Sequence, residues 1–183
     1  MNGKDSALFS RKSDEYETPQ WLFNQLNEEF HFDCDAAATK NNTKCKWYLG
    51  EDYTESKEDS TKIDWIRTLF QDGLTQIYCK SFFLNPPYSK IAQFMKKSYE
   101  ESLKGAIVVC LIPCRTDTRY WHDYVMMAHE IRLIKGRLKF SNEKNSAPFP
   151  SCVVIFDHSK YDKNNDPIFK MLEQTDKENS NKN

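Results

Sequence analysis

Four residues behind the apolar run Phe82-Phe83-Leu84 carry the most specific chemistry in the chain: Asn85-Pro86-Pro87-Tyr88. Two successive prolines stiffen the turn and remove two amide donors, which leaves its carbonyls free to point at a ligand. The side-chain oxygen of Asn85 and the carbonyl of Pro86 make a pair of acceptors, suited to a planar amine that presents two hydrogens. Tyr88 adds an aromatic face on which a flat ring can stack. A lone tetrapeptide of this kind could equally be an ordinary turn, so the elements around it must decide.

Those elements alternate. Thr18-Pro19 offers an N-cap and a proline at the first helical position, and Leu22, Phe23, Leu26 and Phe30 follow at helical spacing. Residues 30–36 (FHFDCDA) and 44–49 (KCKWYL) read as strands, whereas 63–70 (IDWIRTLF) fits strand or helix. A buried strand over 79–85 leads into a helix closed by Gly105, then a strand over 106–113. Thr116 or Asp117 can cap the next helix, on which Trp121, Val125 and Ala128 share a face. EIRLIKGRLKF and SCVVIF supply the last two strands, joined by a loop containing Ala147-Pro148-Phe149-Pro150. Strand, helix, strand in sequence implies an α/β fold with a mostly parallel, doubly wound sheet.

At 183 residues, one domain is expected over 14–157, with loose polar ends over 1–13 and 158–183 and a short helix near 168–174. With 39% hydrophobic residues and only five Gly and seven Pro, collagen-like and wholly disordered classes are excluded. No run is long enough to span a bilayer and Met1–Ser13 lacks an apolar centre, so a soluble, intracellular protein is expected. Cys34, Cys79, Cys110 and Cys152 sit in apolar runs and read as buried reduced thiols; neither the six cysteines nor the four histidines show ligand spacing, so no metal is expected. Between Asp14 and Asp72 there are fourteen acidic residues against six basic, but between Lys104 and Lys144 eight basic against four acidic. That asymmetry is met either by two solvated faces or by a cationic ligand site in the first half and a polyanion site in the second.

In open parallel sheets ligands lie beyond the carboxyl ends of strands. Four such places are rich: Asn85 to Tyr88, Asp35-Ala36-Ala37-Ala38, Pro113 to Thr118 (PCRTDT), and Gly136-Arg137. Together with the segment Glu17 to Phe23 (ETPQWLF), the GRLKF run and APFPSCVVIF, they make the chain resemble the phage-type DNA N6-adenine methyltransferases over about Asp14 to Asp157. The resemblance implies a Rossmann-like sheet with an antiparallel last strand, S-adenosylmethionine as cofactor, and transfer to the exocyclic amine of a flipped adenine in duplex DNA. By motif, Asn85, Pro86, Pro87 and Tyr88 would hold the target base. Tyr16, Thr18, Pro19, Asp35, Ala36 and Ala37 would lie at the cofactor, with Asp52 or Asp64 on its ribose or adenine.

The DNA side is expected to use Arg115 and Arg137 at the base pocket or a base edge, Asp117 beside them, Lys135 and Lys139 on phosphates, and Phe149 as a wedge or base contact. Ala-Ala-Ala stands where many methyltransferases have a Gly-rich loop, and no insertion is large enough for a separate target-recognition domain. Two alternatives keep the tetrapeptide or the fold: an RNA adenine or protein amide as acceptor, and a nucleic-acid-binding protein without turnover.

Overall fold

The computed structural model describes residues 16–49, 65, 79–164 and 166–174. Helix α1 (Gln20–Phe30) buries Leu22, Phe23 and Leu26 and ends at His31, whose left-handed backbone (φ 49°) lets its N–H reach the Asn27 carbonyl. Pro19, not Thr18, occupies the cap position, and no side chain caps the helix. Strands β1 (Cys34–Asp35) and β2 (Trp47–Tyr48) are shorter than the runs that suggested them, and Phe30, which opens the first run, is still helical. Then come β3 (Ser81–Leu84), a 3-10 turn over Tyr88–Lys90, α2 (Ile91–Leu103) and β4 (Ile107–Pro113). Gly105, between α2 and β4, takes the positive φ of 100° that a helix-ending glycine supplies at least cost.

The expected single helix after β4 is broken in two. Helix α3 (Arg119–Asp123) gives way to a 3-10 turn (Val125–Met127), because Tyr124 at φ −131° leaves the helical region. Next, β5 (Glu130–Ile134) stops short of the expected run at Gly136, whose φ of 78° turns the chain, so Leu138 to Phe140 is not strand. Strand β6 (Ser151–Asp157) follows the loop.

Beyond it, Ile168–Leu172 forms strand β7, in place of the expected helix, and carries the sheet past Asp157. Five residues are too few for a stable isolated helix, while the free edge of β5 offers a partner along its length. Ile168 N–H bonds His129 O and Lys135 N–H bonds Leu172 O, each at 3.0 Å.

The sheet order is β2-β1-β3-β4-β6-β5-β7. All strands run parallel except β6, which is antiparallel to β4 and β5. The reversed strand is therefore the SCVVIF run, as the resemblance implies, but β7 follows it in the chain. Side chains alternate across the sheet and separate two cores. Val108, Cys110 and Ile112 of β4 pack with Phe94 and Met95 of α2 and Trp121 of α3. Val109 and Leu111 pack with Leu22, Phe23 and Leu26 of α1 on the other face. Trp65 is fully buried in the first core. Helices on both faces make the sheet doubly wound. Arg132 of β5 fixes α1 by a bidentate fork to Glu29, with contacts of 2.6 and 2.7 Å.

Candidate active site

Topology gathers the candidate residues at one end of the sheet. Asp35, Asn85 and Arg115 follow or end the parallel strands β1, β3 and β4. Because β6 runs the other way, its start lies at that same end: Ser151 is opposite Pro113, and Cys114 N–H bonds Pro150 O at 2.9 Å. Phe149 is thereby brought to the turn that carries Asn85.

Asn85 is half-buried, and both hydrogens of its amide nitrogen are used. Nδ2 donates to the Tyr16 carbonyl and, at 3.0 Å, to Thr18 Oγ1. A backbone carbonyl only accepts, so the nitrogen must face it and the amide cannot be turned round. Oδ1 is the pole left for a ligand. The strap Tyr16–Thr18 is itself held from behind: Ser141 N–H donates to Glu17 O at 2.9 Å, Glu17 N–H to Asn142 Oδ1 at 3.0 Å, and Ser141 Oγ to Thr18 O at 3.4 Å.

Four rings surround this point. Tyr16 stacks on Tyr88 (centroids 4.9 Å, planes 25° apart) and touches Phe140 at 4.8 Å; Phe149 meets Tyr88 nearly edge-on at 5.3 Å. A spacing of 4.9 Å leaves no gap for a third ring between Tyr16 and Tyr88. An incoming base must use the other face of Tyr88 or displace Tyr16. The Tyr88 hydroxyl is buried with no hydrogen-bond partner among the described residues, and burial pushes its pKa up.

One strand over, Asp35 is buried (4% exposed) with Lys44 N–H donating to its Oδ2 at 3.2 Å. Desolvation raises its carboxyl to about 6 against the pull of hydrogen bonds from the Lys44 and Ala37 backbone. No ion pair covers it among the described residues. Ala36 N–H bonds Phe83 O at 2.8 Å, tying this loop to the strand that bears Asn85. Pro86 is buried and Pro87 half-buried within the turn. Asp52 and Asp64 lie outside the described residues.

The basic residues divide. Arg115, Arg137 and Lys139 are exposed at this end, as is the acidic Asp117, whereas Lys135 is in a surface ion pair with Glu173 at 3.1 Å. Lys104 bonds the buried Glu101 at 2.9 Å, and Arg119 bonds Asp123 at 3.1 Å. Lys135 follows β5, three strand positions from Asn85 in the sheet order, or about 14 Å. It is not gathered with the ring cluster.

Sequence reasoning missed Phe140, Ser141 and Asn142, which support Tyr16 and the strap from a segment read as strand and loop. Nothing local marks them, since their partners lie some 125 residues away in sequence, as Glu17 and Asn142 do. The six cysteines are all free, with Cys34, Cys79, Cys110 and Cys152 buried. Among the described residues no three His, Cys, Asp or Glu side chains cluster as metal ligands, and no helix is long and apolar enough to cross a membrane.

A family model described as DNA N-6-adenine-methyltransferase (Dam) matches residues 5–181. No curated protein matches the chain. Almost the whole chain lies within that family match, its sheet is a doubly wound one, and its Asn-Pro-Pro-Tyr turn sits at the carboxyl end of a central strand; the chain belongs to the DNA N-6-adenine-methyltransferase (Dam) family, whose members use S-adenosylmethionine.

Proposed function

We propose that this chain methylates N6 of an adenine swung out of duplex DNA, with Asn85 Oδ1 and the Pro86 carbonyl accepting the two amine hydrogens. The observation that carries the reading is the fixed Asn85 amide, whose oxygen is the pole left to meet a donor. Two acceptors on one amine draw its lone pair out of ring conjugation, which makes the nitrogen a nucleophile. Tyr88 stacks the extruded base and Phe149 closes on its edge. No dedicated base is needed, because the proton becomes acidic once nitrogen is alkylated and leaves to water.

The cofactor fits the residues present. A buried carboxylate raised to about 6 and lacking an ion-pair partner among the described residues suits the positively charged end of S-adenosylmethionine, and only the small side chains of Ala36 and Ala37 follow it in the loop after β1. When bound, S-adenosylmethionine supplies an electrophilic methyl group. Asp35, Ala36 and Ala37 hold the cofactor, while Tyr16 and Pro19 border it.

The direct test incubates the protein with labelled S-adenosylmethionine and unmethylated duplex DNA, RNA or peptide, and identifies the product by mass spectrometry after digestion. N6-methyladenine from DNA is expected. Label in RNA or in glutamine would move the reading to those acceptors. Cofactor and DNA binding without any label would make the chain a binding protein.

Two further outcomes are expected. A carboxyl whose pKa is raised by burial resists ionisation, so in the free protein Asp35 costs stability as pH rises from its ordinary value toward about 6. A cation beside it favours the ionised form, so cofactor affinity should rise with pH, by about tenfold between pH 5 and 7.5, and level off above. Calorimetry at the two pH values checks this, and Asp35→Asn should flatten the profile; equal wild-type affinities would remove Asp35 from the cofactor site. On the DNA side, log affinity should fall steeply with log salt, and Lys139→Ala should reduce the slope by about one. Lys135→Ala should change it less, because Glu173 already neutralises that cation. Unchanged slopes in the double variant would place DNA elsewhere on the surface.

A further inference from the structure

Thr18 stands where a helix N-cap would be expected, but the cap position belongs to Pro19, and Thr18 Oγ1 accepts from Asn85 Nδ2 at 3.0 Å. An amide acceptor has a drawback that a carboxylate lacks. Its two ends have opposite character, and a half-turn about the last side-chain bond would present NH2 instead of oxygen to the substrate amine, donor against donor. The strap removes that alternative by offering two acceptors, the Tyr16 carbonyl and the Thr18 hydroxyl, to the nitrogen end. Thr18 is 3% exposed, so water does not compete readily for that bond. The strap is rigid in its turn because Ser141 and Asn142 tie Glu17 and Thr18, and α1 begins at Gln20, just after it.

We propose that Thr18 is a positioning residue for methyl transfer, which acts through Asn85 by holding its amide with the oxygen toward the target amine. The inference rests on the reading of Asn85 as the amine acceptor. It assigns Thr18 to the acceptor side of the reaction, not to cofactor affinity.

The experiment compares Thr18→Val, Thr18→Ser and Asn85→Ala with the wild-type chain on duplex DNA. In single turnover, Thr18→Val should transfer about tenfold more slowly, as expected for loss of one well-placed hydrogen bond. Its dissociation constants for S-adenosylmethionine and DNA should stay within about twofold of wild type, because the acceptor's orientation matters most as charge develops on N6. Thr18→Ser, which keeps the hydroxyl, should recover most of the rate. A rise in the cofactor constant at an unchanged rate would return Thr18 to the cofactor and overturn the inference. So would a wild-type rate in Thr18→Val alongside an inactive Asn85→Ala, whereas full activity in Asn85→Ala would instead overturn the reading of Asn85.

Nitrogen–proton NMR gives a second readout that needs no turnover. The side-chain NH2 of Asn85, assigned by its absence in Asn85→Ala, should have one of its two proton resonances shifted upfield in Thr18→Val and restored in Thr18→Ser. If Thr18→Val does not fold, Thr18→Ala removes the same acceptor without adding a methyl and is read in the same way. An Asn85 amide identical in wild type and in the variants lacking the hydroxyl would show that the bond does not hold the amide.

Discussion

Asn85→Ala is expected to lower methyl transfer by about 10²–10³-fold, the usual consequence of deleting one preorganised partner of developing charge. Cofactor affinity should change little, since Asp35 and its loop belong to β1 and are tied to β3 through the backbone of Ala36. The variant also loses the two bonds that join Asn85 to the strap, so a modest fall in thermal stability should accompany it. Calorimetry for the cofactor, thermal unfolding and single-turnover transfer separate these effects. A variant that transfers at the wild-type rate would remove Asn85 from the acceptor role, however well it folds.

Much of this candidate site is legible in the sequence because parallel topology concentrates strand ends. An apolar run followed by polar, turn-forming residues is visible at Leu84-Asn85, Cys34-Asp35 and Pro113-Cys114, and in a parallel sheet all three must emerge at one edge. Phe149 reaches that edge for the opposite reason, by preceding a strand that runs backward. What could not be read is pairwise and distant. Thr18 and Asn85 are 67 residues apart, and a threonine before Pro-Gln-Trp-Leu looks like a helix cap whatever its hydroxyl does.

The ambiguity at Ile168, Met171 and Leu172 has a different origin. Over five residues a three-residue apolar set satisfies helical spacing as well as it decorates a strand, and the outcome is set by the open edge of β5, which sequence periodicity does not contain. The charge count misleads in a similar way. Arg132, Lys104 and Arg119 belong to the basic half by sequence, but each is committed to a carboxylate of the fold: Glu29 and Glu130, Glu101, and Asp123. Exposed cations at the site end, such as Arg137 and Lys139, are what remain for a polyanion.

Tyr88 separates ring from hydroxyl. Stacking of a base on an aromatic face is worth roughly 1–3 kcal/mol, so Tyr88→Ala should lower kcat/KM by about 10–100-fold. The same change removes the Tyr16 and Phe149 contacts and should also lower Tm. Tyr88→Phe keeps both contacts and the stacking face. Its parent hydroxyl is buried without a partner among the described residues, a condition that costs about 1–3 kcal/mol, so the phenylalanine variant should retain most activity and melt a few degrees higher. With 2-aminopurine at the target position, base extrusion should remain visible in Tyr88→Phe, while Tyr88→Ala should weaken capture of the extruded base. If phenylalanine loses as much activity as alanine, the hydroxyl contacts substrate and the buried orphan in the free protein is held for that partner; if alanine loses nothing, the base stacks elsewhere.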